Sequence, residues 1–185
     1  ILSQFSEDNK RARKLYREFV TDGLTKQSSP WEQVVGQIML GGEEFIVIDG
    51  VFQDEHGDFP VGSYLRNPPE SSHTPGSDEG CIIFVKLWQF QMNDRTHIRL
   101  RTDHMQAIPH RELPGISIIP LYKDAYEEVS IQQFDANTSL TLAVPAGAEV
   151  LILEGQLTEH NDILKKGSWL RIPTGAELQA TAGSN

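Results

Sequence analysis

The chain has 185 residues, a formal net charge of −10 and only 16 basic residues, which leaves room for one large or two small domains. That balance argues against a nucleic-acid partner, which needs clustered Lys and Arg. Its single cysteine, Cys81, excludes an intrachain disulfide and a cysteine-cluster zinc site. The apolar runs fall far short of the roughly 20 residues of a membrane span, and no secretory apolar region is visible near the start. A soluble, cytoplasmic protein without a membrane partner is expected, and a chain opening on Ile1 reads as a fragment or a processed form.

Asn9 to Leu24 has a helical pattern, with Leu15, Tyr16, Phe19, Val20 and Leu24 on one side and Lys10, Arg11, Arg13, Lys14 and Arg17 between them. The basic run reads as a solvated helix face rather than a nucleic-acid patch. Residues 1–38 are therefore expected to form a helical N-terminal segment. Trp31–Leu40 is open between helix and strand. Around these residues the string YREFVTDGL…SPWEQVVGQIMLGGEEF resembles the C-terminal tail of the REP-associated tyrosine transposases, over residues 10–45. The His-hydrophobic-His pair and the tyrosine nucleophile of that family are absent, so neither an activity nor a site follows from the resemblance.

Glu43–His73 opens with a carboxylate and an apolar run, crosses an acidic turn, and returns through GSYLRNPP to a histidine. Two strands of one small barrel, with Glu43 and His73 facing each other, would read this way. The stretch also repeats. Aligning Glu44 with Glu149 (149 minus 44, an offset of 105) places EFIVIDG on EVLILEG and GSYLRNPP on GSWLRIPT without a gap. Arg66 then matches Arg171 and Pro68 matches Pro173. The fold expected is mostly β, a double arrangement of tandem barrels or jelly rolls, with a first unit at 39–110 and a second at 111–185.

In the second copy, Gly115–Leu121, Glu128–Phe134 and Ser139–Val144 read as strands, whereas their counterparts in the first fall in the helical segment. The first barrel is thus expected to be incomplete at its N-terminal side. Cys81–Phe90 reads as one strong strand, and its counterpart in the second copy would begin just past Asn185, so that unit is expected to lack its last strand.

The two halves resemble cupins, whose motifs run G-x5-H-x-H-x3-E-x6-G and G-x5-P-x-G-x2-H. Glu43 to Gly50 fits the end of the first, and Gly62, Pro68 and His73 fit the second, with Glu70 where the motif has glycine. More narrowly, Gly41–Phe90 is similar to the ChrR-type cupin, the zinc-binding module of certain anti-sigma factors that also occurs in bicupin proteins. The resemblance implies a four-ligand N/O site for Zn²⁺, Fe²⁺, Mn²⁺ or Ni²⁺ in the first unit. Glu43 and His73 are its candidate metal ligands, and Gln37 and Met39 stand where the motif has its two histidines. In the second unit the four positions carry Leu142, Val144, Ala148 and Leu178, so no metal is expected there.

His56 reads as a solvated turn residue, and His97, His104 and His110 as exposed linker histidines. Arg66 and Arg171 read as structural partners of acidic neighbours, with an anion clamp as the alternative. Trp88 and Phe90 read as strand residues packing a core or an inter-barrel face. The function expected is a ChrR-like sensing or binding cupin with a degraded metal site and no catalytic residues. A metal-dependent dioxygenase or isomerase is the alternative, and an inert fusion carrying a transposase-like tail is a third reading. The resemblance does not bring a sigma factor with it, because no N-terminal zinc domain is present. Exposed barrel edges invite a homo-oligomer.

Overall fold

The structure is a computed structural model that describes residues 40–184. Residues 1–38, for which a helical segment is expected, Trp31–Met39 and with them the positions Gln37 and Met39 lie outside the described residues. Within them the chain forms two compact units, 40–103 and 104–184.

The first unit is built on β1 (Glu43–Asp54), where Phe45, Ile46, Val47, Ile48, Val51 and Phe52 supply the β-branched and aromatic side chains that favour a pleated surface. β1 turns back into β2 (Gly57–Pro60) and then pairs with β3 (Ser63–Asn67) and β4 (Cys81–Leu87). β5 (Ile98–Arg101) extends the sheet beyond β3. All these pairings are antiparallel, in the order β2-β1-β3-β5 with β4 also on β1.

One irregularity in β1 organises the rest. Its register with β4 slips between Val47 and Asp49, a bulge that exchanges the faces reached by odd- and even-numbered residues. Before the slip Phe45 and Val47 point inward; after it Phe52 does. Together with Leu65 they form the core of this unit, flanked by Phe59, Cys81, Ile83 and Val85.

The opposite face is also buried, and it is charged. Glu44 lies across from Arg66 on β3 and from Lys86 on β4. Glu44 and Arg66 are each about 1% exposed. Lys86 Nζ stands 2.7 Å from Glu44 Oε1 as an ion pair, and Arg66 Nε stands 3.7 Å from Glu44 Oε2. Arg66 Nη1 donates to Asp94 at 3.1 Å, and its guanidinium lies over the Phe90 ring, 3.9 Å from the centroid. Arg66 is thus a structural partner of acidic neighbours, as its sequence context implies.

The expected strand Cys81–Phe90 is shorter, ending at Leu87. The Trp88 N–H donates to Gly42 O at 3.2 Å and Trp88 takes a positive φ of 65°, so the chain leaves the sheet there. Alternation therefore does not govern Trp88 and Phe90, and Phe90 reaches Arg66 from outside the strand.

The second unit contains β6 (Ile108–Pro109), β7 (Ile116–Lys123) and β8 (Glu128–Phe134) as a three-stranded sheet. β9 (Ser139–Val144), β11 (Gln156–Glu159), β12 (Asp162–Lys165) and β14 (Ala176–Ala182) form a second sheet, and β10 (Ala148–Leu151) pairs with β13 (Trp169–Ile172). The sequence repeat is kept in the hydrogen-bond register. Glu43↔Asn67 and Glu44↔Arg66 become Ala148↔Ile172 and Glu149↔Arg171. Val51↔Pro60 becomes Gln156↔Lys165. Leu142, Val144, Ala148 and Leu178, the counterparts of the motif's ligand positions, belong to or pack against the core formed by Ile116, Leu140, Ile152, Leu157, Ile172 and Ala180. That space is filled with apolar side chains.

Candidate metal centre

The first unit brings Glu43 and His73 together. Glu43 enters at the start of β1 and His73 follows β3 in a loop that is tied back onto β1. Gln53 N–H donates to Gly76 O at 2.8 Å and Gly76 N–H to Gln53 O at 2.7 Å. The Thr74 N–H donates to Glu55 Oε2 at 2.7 Å. Held this way, His73 Nε2 lies 2.8 Å from Glu43 Oε1, with the imidazole only 4% exposed.

The loop begins with a tight turn. The Ser71 N–H donates to Pro68 O at 3.2 Å, with Pro69 and Glu70 as the central residues. Glu70 has a φ of 66°, the conformation that the third residue of a type II turn adopts and that glycine accommodates without strain. This is why the cupin motif carries glycine here, and the chain adopts the same turn with a side chain in its place.

Each partner in the site is held by a second group. Asn67 Nδ2 donates to Glu43 Oε1 at 2.9 Å. His73 Nδ1 is 3.1 Å from Asp54 Oδ2, and that carboxylate has no solvent-exposed side-chain surface. Asp54 Oδ1 in turn accepts the His56 N–H at 2.7 Å, with His56 Nδ1 at 3.3 Å. Phe52 walls the site, its ring centroid 5.8 Å from that of His73 and 4.7 Å from that of Phe45.

Burial of the His73 imidazole opposes its protonation. Glu43 and then Asp54, by hydrogen bond and by charge, outweigh that effect and lift its pKa above the ordinary 6.5. Burial likewise pushes the Asp54 carboxyl up, but the His56 N–H, the His73 ring and the two imidazole charges bring it below its ordinary 3.8.

Sequence reasoning does not find Asp54 or Asn67. Asp54 lies an odd number of residues after Glu43, so simple alternation assigns it to the other face; only the bulge after Val47 returns it to this one. His56 is exposed, as its turn position implies, and its backbone rather than its ring makes the shorter bond to Asp54. Ligand atoms of Asp54, Glu55 and His56 also gather within 4.8 Å of one another. His97 and His104 are exposed, while His110 is partly buried and its Nδ1 accepts the N–H groups of Glu112 and Leu113.

Residues 35–91 match the family model of the ChrR cupin-like domain. A solved structure of a provisionally assigned dioxygenase from Nostoc punctiforme superposes with a TM-score of 0.64 at 15% identity, covering 78% of this chain and 58% of that one. The fold is a cupin fold. Two more structures agree: Ylba from E. coli (TM-score 0.56, 20% identity, 77% of this chain and 64% of that one) and a cupin 2 conserved barrel domain protein from Leptotrichia buccalis (0.55, 16%, 80% and 71%). The chain thus spans less than two thirds of the Nostoc and E. coli proteins. No curated protein matches the sequence. The cupin match begins at residue 35, inside the string expected from its sequence to be a transposase-like tail, and that transposase resemblance is not shown. Among the described residues no helix is long and apolar enough to cross a membrane.

Cupins commonly hold a metal, and the donor chemistry here can be tested against that. Glu43 and His73 converge as one oxygen and one nitrogen donor, close enough to share an ion. Asp54 sits on the far nitrogen of the imidazole and Asn67 on the carboxylate, the type of outer partner that orients metal ligands. By their chemistry Glu43 and His73 fit as two donors of a divalent N/O site. Their chemistry suits Zn²⁺, Fe²⁺, Mn²⁺ or Ni²⁺.

Proposed function

We propose that this protein is a cupin of binding or sensing type that takes a divalent metal on Glu43 and His73 and carries no catalytic residues. The observation that carries this reading is the 2.8 Å approach of His73 Nε2 to Glu43 Oε1, with each group held from behind by Asp54 or Asn67. A bound ion would supply a cross-link between β1 and the loop after β3. The chain's own residues do the rest. Asn67 fixes the rotation of the Glu43 carboxylate, the loop tie at Gln53 and Gly76 fixes the height of His73, and Phe52 and Phe45 form the apolar wall that limits competing water.

A metal-dependent oxygenase requires three good protein donors on one ion, with positions left for substrate and oxygen. The described residues bring two, so binding rather than turnover is the reading they support. The dioxygenase assignment of the Nostoc protein, at 15% identity, adds only the fold. A sigma factor forms no part of the proposal.

Equilibrium dialysis of purified protein against Zn²⁺, Mn²⁺ and Ni²⁺, followed by elemental analysis, tests the proposal. Uptake approaching one ion per chain that disappears in His73→Ala is expected. Uptake that is absent, or unchanged in that variant, would remove the metal-binding function.

A further inference from the structure

The two aromatic residues that follow β4, Trp88 and Phe90, take no part in the metal-binding reading, yet both pack on the glycines that lead into Glu43. A Cβ on Gly41 would run into the Trp88 indole. One on Gly42 would stand 2.7 Å from Phe90 Cδ2 and 3.0 Å from Asn67 O, leaving no room for a side chain. Gly42 has a φ of 73°, and its carbonyl accepts the Trp88 N–H at 3.2 Å. Glu43 is the next residue, so whatever holds Gly42 also sets where Glu43 leaves the chain.

Phe90 is buried and reaches the neighbouring strand as well. The Arg66 guanidinium lies over its ring, 3.9 Å from the centroid, and is held there by the 3.1 Å bond from Nη1 to Asp94 Oδ2. One ring thus touches the residue before Glu43 and the residue before Asn67, where Glu43 and Asn67 face each other across β1 and β3.

We propose that Phe90 is a positioning residue of the Glu43–His73 site. Wedged against Gly42 and covered by Arg66, it fixes the start of β1 and with it the approach of the Glu43 carboxylate to His73. The inference rests on the metal-binding reading for its purpose but not for its geometry. Glycine has no side chain of its own to anchor the backbone, so the ring packed on it does so. Close-packed interiors pass a displacement on to their neighbours, and a pair of donors keeps its spacing only where the shell behind it is filled.

Two measurements on Phe90→Ala separate this proposal from the metal reading. In chelator, denaturant unfolding of wild type, Glu43→Ala, His73→Ala and the double variant gives the coupling between the two side chains. That coupling is expected in wild type and should be lost when the cycle is repeated in Phe90→Ala. Zn²⁺ titration of the folded protein should then show about 10-fold weaker binding in Phe90→Ala. A ring that served stability alone would lower the melting temperature in chelator and leave both the coupling and the Zn²⁺ affinity as they are. Where Phe90→Ala does not fold, Phe90→Leu carries the same cycle and titration, with losses in the same direction, because it keeps apolar bulk but withdraws the ring.

Coupling lost in the variant of a protein that takes up no Zn²⁺ supports the positioning role and removes the metal from it. A wild-type cycle without coupling, or coupling unchanged in the Phe90 variant, overturns the proposal whatever Zn²⁺ does. So does Zn²⁺ binding by wild type that is equally tight in a folded Phe90 variant.

Discussion

Glu43 and Glu44 are consecutive residues of β1 that serve opposite faces of the sheet, Glu43 meeting His73 at 2.8 Å and Glu44 meeting Lys86 at 2.7 Å. Their roles divide accordingly. Removing Glu44 strips a buried carboxylate from between Arg66 and Lys86, and breaking a buried ion pair costs about 3–5 kcal/mol. Removing Glu43 costs the charged hydrogen bond to His73, about 1–3 kcal/mol. Denaturant unfolding in chelator should therefore rank Glu44→Ala well below Glu43→Ala in stability. Of these two variants, metal uptake should be lost in Glu43→Ala and kept in Glu44→Ala where that protein folds. The reverse stability order would mean that the two faces have been misassigned.

Glu70 occupies the glycine position of the cupin motif at a φ of 66°. A side chain in the left-handed region costs roughly 1–2 kcal/mol, while glycine gives back part of that through the freedom of its unfolded chain. The Glu70–Arg95 ion pair, 2.8 Å but more than half exposed on both sides, offsets little. Glu70→Gly is expected to raise stability by about 0.5–1 kcal/mol, read as a higher melting temperature. A lower melting temperature would show that the ion pair outweighs the strain.

The lifted pKa of His73 has a definite sign in metal-free protein. A histidine whose folded pKa exceeds its ordinary 6.5 contributes stability that is fully present below that value and is lost as pH rises through the higher folded value. Asp54, lowered from 3.8, contributes stability that is present above 3.8 and lost as pH falls through its lower folded value. In chelator, wild-type protein should lose stability relative to His73→Gln as pH rises from 6.5 upward. Parallel pH profiles for the two proteins would show that the carboxylates around His73 do not couple its protonation to folding. Metal uptake should show the opposite trend, weakening as pH falls, because the ion competes with a proton for His73.

The parts of the fold that the sequence displays are those where pattern and register coincide. The repeat offset of 105 reappears in the cross-strand pairs Glu44↔Arg66 and Glu149↔Arg171 because glycine- and proline-marked turns fix the strand spacing in both copies. Glu43 and His73 come together for the same reason. Asp54 stayed hidden because one extra residue in β1 reverses the inside and outside of everything after it, and a bulge leaves no mark in an apolar run such as Phe45–Ile48. Its composition misleads as well, since DEHGD resembles a solvated hairpin tip while one of its carboxylates is turned into the barrel. Trp88 and Phe90 follow the same logic: alternation holds only until the chain leaves the ladder at Leu87, so Phe90 is buried, but from outside the strand.

The central claim is that Glu43 and His73 hold one ion between them. Crystals of the protein soaked in Zn²⁺ and measured across the zinc absorption edge test it most directly. The prediction is a single anomalous peak about 2.0–2.2 Å from both His73 Nε2 and a Glu43 carboxylate oxygen, with Asp54 still on Nδ1. A peak on the exposed turn of Asp54, Glu55 and His56 instead, or no peak within the barrel, would contradict the claim.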